Sequence, residues 1–590
     1  MSLHDRTHTA LHSLRHPGSR MHQRGVSLAT VMSLGGRHFG SGAREIDQDA
    51  LSFPTEKYDK FISHSWRTSR RAKYAALLYY TSLVPAVCAG LAAGILAFAL
   101  QAYGVLPPFG LKAVSEPLPG SMWCLVMGGC TFFAILVMWA RFVELAESAS
   151  GTKVSYFLDC LCINQSDAEL KQAGIDSIGA CLRNSDSMLV LWAPEYFTRL
   201  WCCFELAVFM EKSTNAEFKS LLQNSLSEMR PPSFGGMMDL QQNSSPTEIS
   251  NEETIPARLD VAKTAQRTRN ETHDSKLIII PVQMGVFCMA SLVIGYVFLV
   301  LGRAMEFLDS ELTDLFWILS GFGCCLGLCR FCRRYSQDRL ELNKQIAQFT
   351  VSRADCNLPC DREFIKAMIT CLYSETLSEI DGIAAFEQVL RSRVQQHVDK
   401  KLGSRLHVPW RLSMAVMFLL CLEGLDAVAE TLMIPSHLAD SKVLADRTAR
   451  QAARTFSDVC FGHAFVYCAI VTSCWLPERK SKLAEFASNM MFVFVMCFFL
   501  GGCAVFVSGQ FEEMPALVSV PLNLGLGLIL LSGPACCNYM SCRFSLCIHG
   551  GPSSNQEAGR EADQEPSEHE SREETPRDQG DCEHVFVTRM

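Results

Sequence analysis

The sequence predicts an α/β domain with a parallel sheet, joined to an all-α membrane part of about eight transmembrane helices. Three observations carry this. Eight apolar runs approach the roughly 20 residues that cross a bilayer. They lie at about 77–100, 121–143, 282–301, 312–332, 409–429, 456–476, 486–508 and 516–540. Between the second and third runs, strand-like and helix-like stretches alternate from Val154 to Met210, the order of a parallel sheet covered on two faces. Basic residues cluster beside the ends of several runs, which gives the chain an orientation.

A chain of 590 residues, 49% of them apolar, has room for several domains and lies away from ordinary soluble proteins. Soluble core helices seldom stay apolar all round over such lengths. The expectation is an integral, multi-pass membrane protein with the lipid bilayer as a partner. The net charge of −8 sits largely in an acidic tail and gives no footing to a nucleic-acid partner. The 27 cysteines fall mostly in or beside the apolar runs, without the spacing of a disulfide framework, so they read as reduced, small core residues.

Residues 1–44 hold six arginines and Asp5 as their one acid, which suits either a disordered or a targeting segment. The α/β domain is expected in two pieces, 45–75 and 150–281, with a membrane hairpin at 76–145 between them. Arg67, Arg70, Arg71 and Lys73 abut the first span and place the first strand in the cytosol. The loop from Gln101 to Gly120 has one Lys, one Glu and four prolines, as suits the far side. Ser166-Asp167-Ala168-Glu169 reads as a capping box for a helix running to about Leu182. Asn184-Ser185-Asp186 marks the turn into the central strand.

Residues 213–275, with Pro231-Pro232 and Gly235-Gly236, read as a flexible insertion. The segment from Lys276 to Val282 is either a fourth strand ending at Pro281 or the start of the third span. A second membrane hairpin spans 282–334 and ends in Arg330, Arg333 and Arg334. Residues 335–407 offer Gln348-Phe349-Thr350-Val351 as a last strand and an amphipathic helix over 361–373 capped by Asp361. This block either completes the sheet or forms an independent linker. A four-helix membrane block at 408–548 and a disordered, cytosolic tail at 549–590 close the chain. Lys442, Arg447, Arg450 and Arg454 fall on the expected outer side, so six spans is the alternative count.

Three stretches carry a family resemblance. Tyr58-Asp59-Lys60-Phe61-Ile62-Ser63-His64-Ser65-Trp66 resembles the first sequence box of Toll/interleukin-1 receptor (TIR) domains. Val154 to Asn164, VSYFLDCLCIN, resembles their second strand, and its Leu-Cys-Ile-Asn-Gln ending is also similar to fungal heterokaryon-incompatibility (HET) domains. Ser187 to Met210 resembles the third box, where a strand and a short loop lead into a Trp-Cys-x-x-Glu-Leu helix. The resemblance implies a TIR/flavodoxin-like sheet, here split by a membrane hairpin, and a homo-oligomer formed through that domain. It implies signalling or assembly, with NAD as a substrate whose N-glycosidic bond is cleaved.

In that reading Glu205 is the catalytic carboxylate, serving an oxocarbenium-like transition state. Phe61, Ser63, His64, Trp66 and Trp201 bind ligand at the strand ends. The bland alternative is an assembly-only domain in which Glu205 complements the helix dipole and the aromatics are core. Asp159 leaves a strand and reads as a turn or cap residue. His64 with Cys162 or Cys202 is a weak nucleophile pair. No zinc site has suitable spacing. Cys329, Cys332, Cys536, Cys537 and Cys542 lie at span ends, where palmitoylation or packing both fit. Glu423, Asp426, Asp458 and His463 form a polar membrane cluster that either relays protons or a cation, or snorkels to water. That cluster motivates the alternative function, an ion or small-solute channel or transporter regulated by a non-catalytic α/β domain.

Overall fold

A computed structural model describes residues 3–15, 23–40, 48–111, 119–211, 277–307, 310–373, 379–402, 410–434, 440–475, 481–496 and 514–548. The flexible insertion expected at 213–275 and the tail expected at 549–590 lie outside the described residues.

Four strands form one parallel sheet: β1 (Tyr58–His64), β2 (Tyr156–Phe157), β3 (Ser185–Trp192) and β4 (Leu277–Pro281). Their spatial order is β2-β1-β3-β4. Phe61 lies opposite Phe157 on one side and Met188 on the other, so residues 58–64, 156–157 and 185–192 meet in one sheet. The segment before Pro281 is therefore a strand, pairing Leu189 with Ile278 and Trp192 with Pro281.

Successive side chains on a strand point to opposite faces. Phe61, Met188, Val190 and Trp192 enter one core, and Ile62, Leu189, Leu191 and Ile280 enter another. Burial on both faces explains why these strands read as unbroken apolar runs rather than as alternation.

The first of those cores is filled from the N-terminal side. Residues 1–44 were expected to be disordered or targeting, yet α1 (Leu3–Arg15) buries Ala10 and Leu14 and ties Arg6 to Asp176 at 2.8 Å and Asp361 at 3.0 Å. The short helix α2 (Leu28–Gly36) packs on the opposite face, with its amide at Thr30 bonded to the Ser27 cap. Apolar residues are too few in α1 to announce a packed helix; its partners lie more than a hundred residues away.

Helix α3 (Arg70–Ala102) follows β1 and α4 (Trp123–Ser150) precedes β2, so an apolar hairpin replaces a simple crossover. Gly90 and Gly128 let the two backbones approach: a Cβ on either would sit 2.9 Å from the other's carbonyl oxygen. Helices α5 (Ala168–Asp176) and α6 (Ile178–Arg183) connect β2 to β3. The cap of α5 is Asp167, not Ser166: its carboxylate accepts from Glu169 N and Leu170 N, while Ser166 donates to Asn164. Helix α7 (200–211) carries the third box.

Helix α8 (Val282–Met305) continues from β4, and α9 (Ser310–Ala347) is a single helix of 38 residues. At 1.5 Å per residue α9 is roughly 57 Å long, and its far end delivers Leu342 and Ile346 to the core beneath the sheet. Helices α10 (Pro359–Tyr373), α11 (Glu379–Val389) and α12 (Gln395–Leu402) complete that layer. Residues 348–351 are not a strand. Phe349 and Val351 are both buried, and the chain turns there through a 3-10 segment at Val351–Arg353. Asp361 lies in the first turn of α10 rather than ahead of it.

Among the described residues five helices are long and apolar enough to cross a membrane: α3, α4, α8, α9 over Leu315–Ala347, and α13 (Trp410–Leu432). The described parts of the other three apolar runs fall on α14 (Ser441–Trp475), α15 (Lys482–Met496) and α16 (Ala516–Ile548), and residues 497–508 lie outside the described residues. The stretch Ala516–Ser532 of α16 is a shorter apolar helix among the described residues. Lys442, Arg447, Arg450 and Arg454 sit on α14 itself, where Arg450 pairs with Asp446 at 2.8 Å and Asp446 accepts from the first amide of α16.

Candidate functional site

A sheet ordered β2-β1-β3-β4 reverses direction between β1 and β3, and ligands of open parallel sheets bind outside the carboxyl ends of the strands at such a switch point. The residues placed there are Ser63 and His64 from the end of β1, Tyr196 from the loop after β3, and Glu205 from α7. Ser63 Oγ donates to Glu205 Oε2 at 2.5 Å and shares a 2.6 Å hydrogen bond with the Tyr196 hydroxyl. Either hydroxyl can be the donor in the Ser63–Tyr196 bond, and the Tyr196 hydroxyl also donates to the Cys202 carbonyl at 3.4 Å. Ser63 and Tyr196 are buried, whereas Glu205 keeps partial exposure.

Burial raises the Glu205 carboxyl from 4.5 to about 8, with the Ser63 hydrogen bond opposing the rise and the nearby Asp159 adding to it. At neutral pH the group is thus mostly protonated and can donate; its anion, reached just above neutrality, can accept a proton from a positioned hydroxyl.

Trp66 is 46% exposed at the rim, and its indole N–H donates to Asp159 Oδ2 at 3.0 Å. Asp159 also accepts from Cys160 N at 2.8 Å, so it closes a turn and orients Trp66. His64 stands edge-on to Phe39 with 5.3 Å between ring centroids and 5.1 Å from the Trp66 ring. Burial, with Lys73 nearby, drives the His64 imidazole well below its usual value and keeps it neutral. Lys73 Nζ lies 5.6 Å from the ring centroids of both Phe39 and Trp66.

Two of the expected ligand contacts are elsewhere. Phe61 is 1% exposed and stacks on Phe157 at 4.6 Å, because its position on β1 faces the core it shares with Met188 and Val190 and not the strand end. Trp201 leans on Phe204 and Phe364, with its indole nitrogen 3.4 Å from Asp361 Oδ2, so α10 holds it away from Ser63. The nucleophile pair fails as well. Burial raises the thiols of Cys162 and Cys202 above their usual range, and Cys202 Sγ donates to the His64 carbonyl rather than meeting its ring. Tyr196 was missed; only its place two residues after Pro194 marks it, and that signal is weak.

The polar membrane cluster separates into different contacts. Arg303, 4% exposed near the end of α8, pairs with Glu423 at 2.6 Å, Glu430 at 3.2 Å and Glu306 at 3.2 Å. Asp426 instead caps α4, accepting from Ser121 Oγ at 2.5 Å, Cys124 N at 2.9 Å and Leu125 N at 2.8 Å. Asp458 is exposed on α14 and lies 3.8 Å from Arg454, and His463 is half-buried one turn further along. A carboxylate–histidine relay among the four is therefore not assembled.

Cys329 and Cys332 are 1% exposed in α9, a packing position closed to acylation. The side chains of Cys536, Cys537 and Cys542 lie outside the described residues. Among the described residues no group of three His, Cys, Asp or Glu side chains is placed to hold a metal. No family model, curated protein or solved structure matches this chain.

Proposed function

We propose that this is a multi-pass membrane protein whose TIR-like α/β domain cleaves the N-glycosidic bond of NAD, with Glu205 as the catalytic carboxyl. The observation that carries the reading is the Ser63–Glu205 hydrogen bond at the switch point, made by a half-buried Glu205. As neutral nicotinamide departs from the N-ribosyl pyridinium, the positive charge passes to the ribose, which gains oxocarbenium character. An anionic Glu205 stabilises that charge and accepts the proton of the attacking hydroxyl. Trp66, exposed next to His64 after the end of β1, supplies an aromatic face for a ring.

The membrane part of the proposal rests on α3, α4, α8, α9 and α13. On α8 the exposed side chains Val293, Ile294, Val297 and Leu301 form an outward apolar stripe that a lipid bilayer would cover. The basic residues Arg67, Arg70 and Arg71 at the foot of α3 favour a cytosolic α/β domain. Self-association through that domain would bring several such sites together in the membrane plane.

One observation favours an assembly-only domain: Trp201, the expected ring partner, is held by α10. The deciding experiment is NAD consumption and nicotinamide release by the full chain in lipid nanodiscs. Turnover lost in Glu205→Ala, with an unchanged elution profile, supports the enzyme. No turnover at any density of protein in the bilayer removes it and leaves assembly.

A further inference from the structure

At the ends of α8 and α13 that point away from the sheet lies a half-open cleft of about 410 Å³. From β4 to Arg303 along α8 is roughly 30 Å, so this space is remote from Glu205 and owes nothing to its chemistry. The size falls in the range of small-molecule sites. Its lining carries charges of both signs, Arg303 and Arg454 against Glu423, Glu430 and Asp458, over an apolar floor that includes Leu420.

The charges are unequally used. Arg303 spends its two Nη groups on Glu423, Glu430 and Glu306, and its buried Nε has no hydrogen-bond partner among the described residues. Glu423 and Asp458 keep side chains 33% and 57% exposed, and Arg454, 34% exposed, is 3.8 Å from Asp458. The outer rim thus presents two accessible carboxylates beside an accessible guanidinium. A lone cation would be opposed by Arg454 and a lone anion by Glu423 and Asp458. A molecule bearing both an ammonium and an anionic group satisfies all three at once, because guanidinium prefers planar anions and carboxylates accept from ammonium.

We infer that this cavity is a binding site for a small zwitterion, its ammonium between Glu423 and Asp458 and its carboxylate or phosphate on Arg454. Either a water-soluble amino acid or an ethanolamine phospholipid headgroup has this chemistry.

The test uses the full chain in nanodiscs of phosphatidylcholine, probed by calorimetry. The probes are the straight-chain ω-amino acids from glycine to 6-aminohexanoate, with butylamine and butanoate as single-charge controls and dihexanoyl phosphatidylethanolamine as the lipid arm. Saturable binding of one zwitterion class, at least tenfold tighter than either control, is expected. Glu423→Gln and Arg454→Gln should each weaken it tenfold or more. Ala427→Phe, which fills the lined space without touching a charge, should abolish it while the elution profile and NAD turnover stay those of the parent. The idea is overturned if no probe saturates, if the controls bind as well as the zwitterions, or if Ala427→Phe leaves binding intact. A saturating signal from the lipid alone assigns the headgroup; one from the amino acids assigns the soluble solute.

Discussion

Ser63 and Glu205, 142 residues apart, are joined by a 2.5 Å hydrogen bond from hydroxyl to carboxyl at the point where the sheet reverses its strand order. That bond lowers the carboxyl's affinity for its proton, while burial raises it further in the other direction, to about 8. A group so placed changes ionisation within the physiological range, and its serine partner sets where.

The rate should therefore report the bond. If the Glu205 anion takes the proton of the attacking hydroxyl, NAD cleavage rises with pH and levels off above about 8. Ser63→Ala removes the contact that favours the anion, so the rising limb moves to higher pH and the rate at pH 7 falls by about tenfold. Tyr196→Phe, which removes the hydroxyl bonded to Ser63, should give a smaller shift than Ser63→Ala. A pH series of initial rates on the three proteins checks this, and an unshifted Ser63→Ala profile speaks against it.

Stability should follow the same proton. The folded-state value of Glu205 lies above the unfolded value of 4.5, so its contribution is complete below that pH and is lost as pH rises through about 8. Partial exposure screens the effect to on the order of 2 kcal/mol over that window. Glu205→Gln has no proton to lose. Its melting temperature should fall less between pH 5 and about 8 than that of the parent, a comparison made by thermal unfolding of the two proteins side by side.

Much of the sheet is legible in the residues because its physics is local. Phe61-Ile62 and Met188-Leu189-Val190 are apolar runs buried on both faces, and their lengths and flanking turns mark them as strands before any partner is known. Glu205 is legible for a related reason: one carboxylate among aromatics in the first turns of a helix is unusual. What escapes is set by distant partners. Trp201 and Phe204 look alike in sequence, but only α10 decides that Trp201 leans on Phe364. Gln348-Phe349-Thr350-Val351 has strand composition, yet Phe349 and Val351 both fill the core at a turn, where tertiary packing overrides propensity. Arg303 reads as an ordinary span-end cation until Glu423 and Glu430, 120 and 127 residues on, close around it.

That arginine gives the third prediction. Arg303→Leu would leave Glu423 and Glu430 without their countercharge at the ends of α8 and α13. Removing one member of a buried pair costs about 3–5 kcal/mol. The variant should unfold at markedly lower temperature in detergent, and Arg303→Leu with Glu423→Gln and Glu430→Gln together should recover most of the loss. Equal stability of Arg303→Leu and the parent would mean that the two carboxylates are solvated without it.

Asp426 predicts a different outcome on the same helix. Its oxygens accept from two backbone amides at the start of α4 and from Ser121 Oγ. Asp426→Ala deletes a helix cap and orphans those donors, at about 1–2 kcal/mol for the cap and more for buried amides. Asp426→Asn keeps an acceptor and should lose less. Charge alone would make the two variants equal, so their difference in melting temperature distinguishes capping from a charge effect.

The last prediction concerns how the sheet hands its strands to the apolar helices. Helix α3 follows β1 and α8 follows β4, and they cross where Gly285 meets Ala76. A Cβ on Gly285 would sit 2.4 Å from Ala76 Cα and 2.5 Å from Ala76 N, both backbone atoms that no rotamer change can withdraw. Gly285→Ala must therefore push the helices apart, at about 1–3 kcal/mol for overpacking. Gly321→Ala on α9 has nothing within 4 Å of the added carbon and should be neutral or stabilise the helix by up to about 1 kcal/mol. Thermal unfolding of the pair in one detergent isolates packing from helix propensity. Because the displaced strands carry Ser63 and its neighbours, Gly285→Ala should also slow the NAD cleavage proposed for Glu205, whereas Gly321→Ala should leave it unchanged.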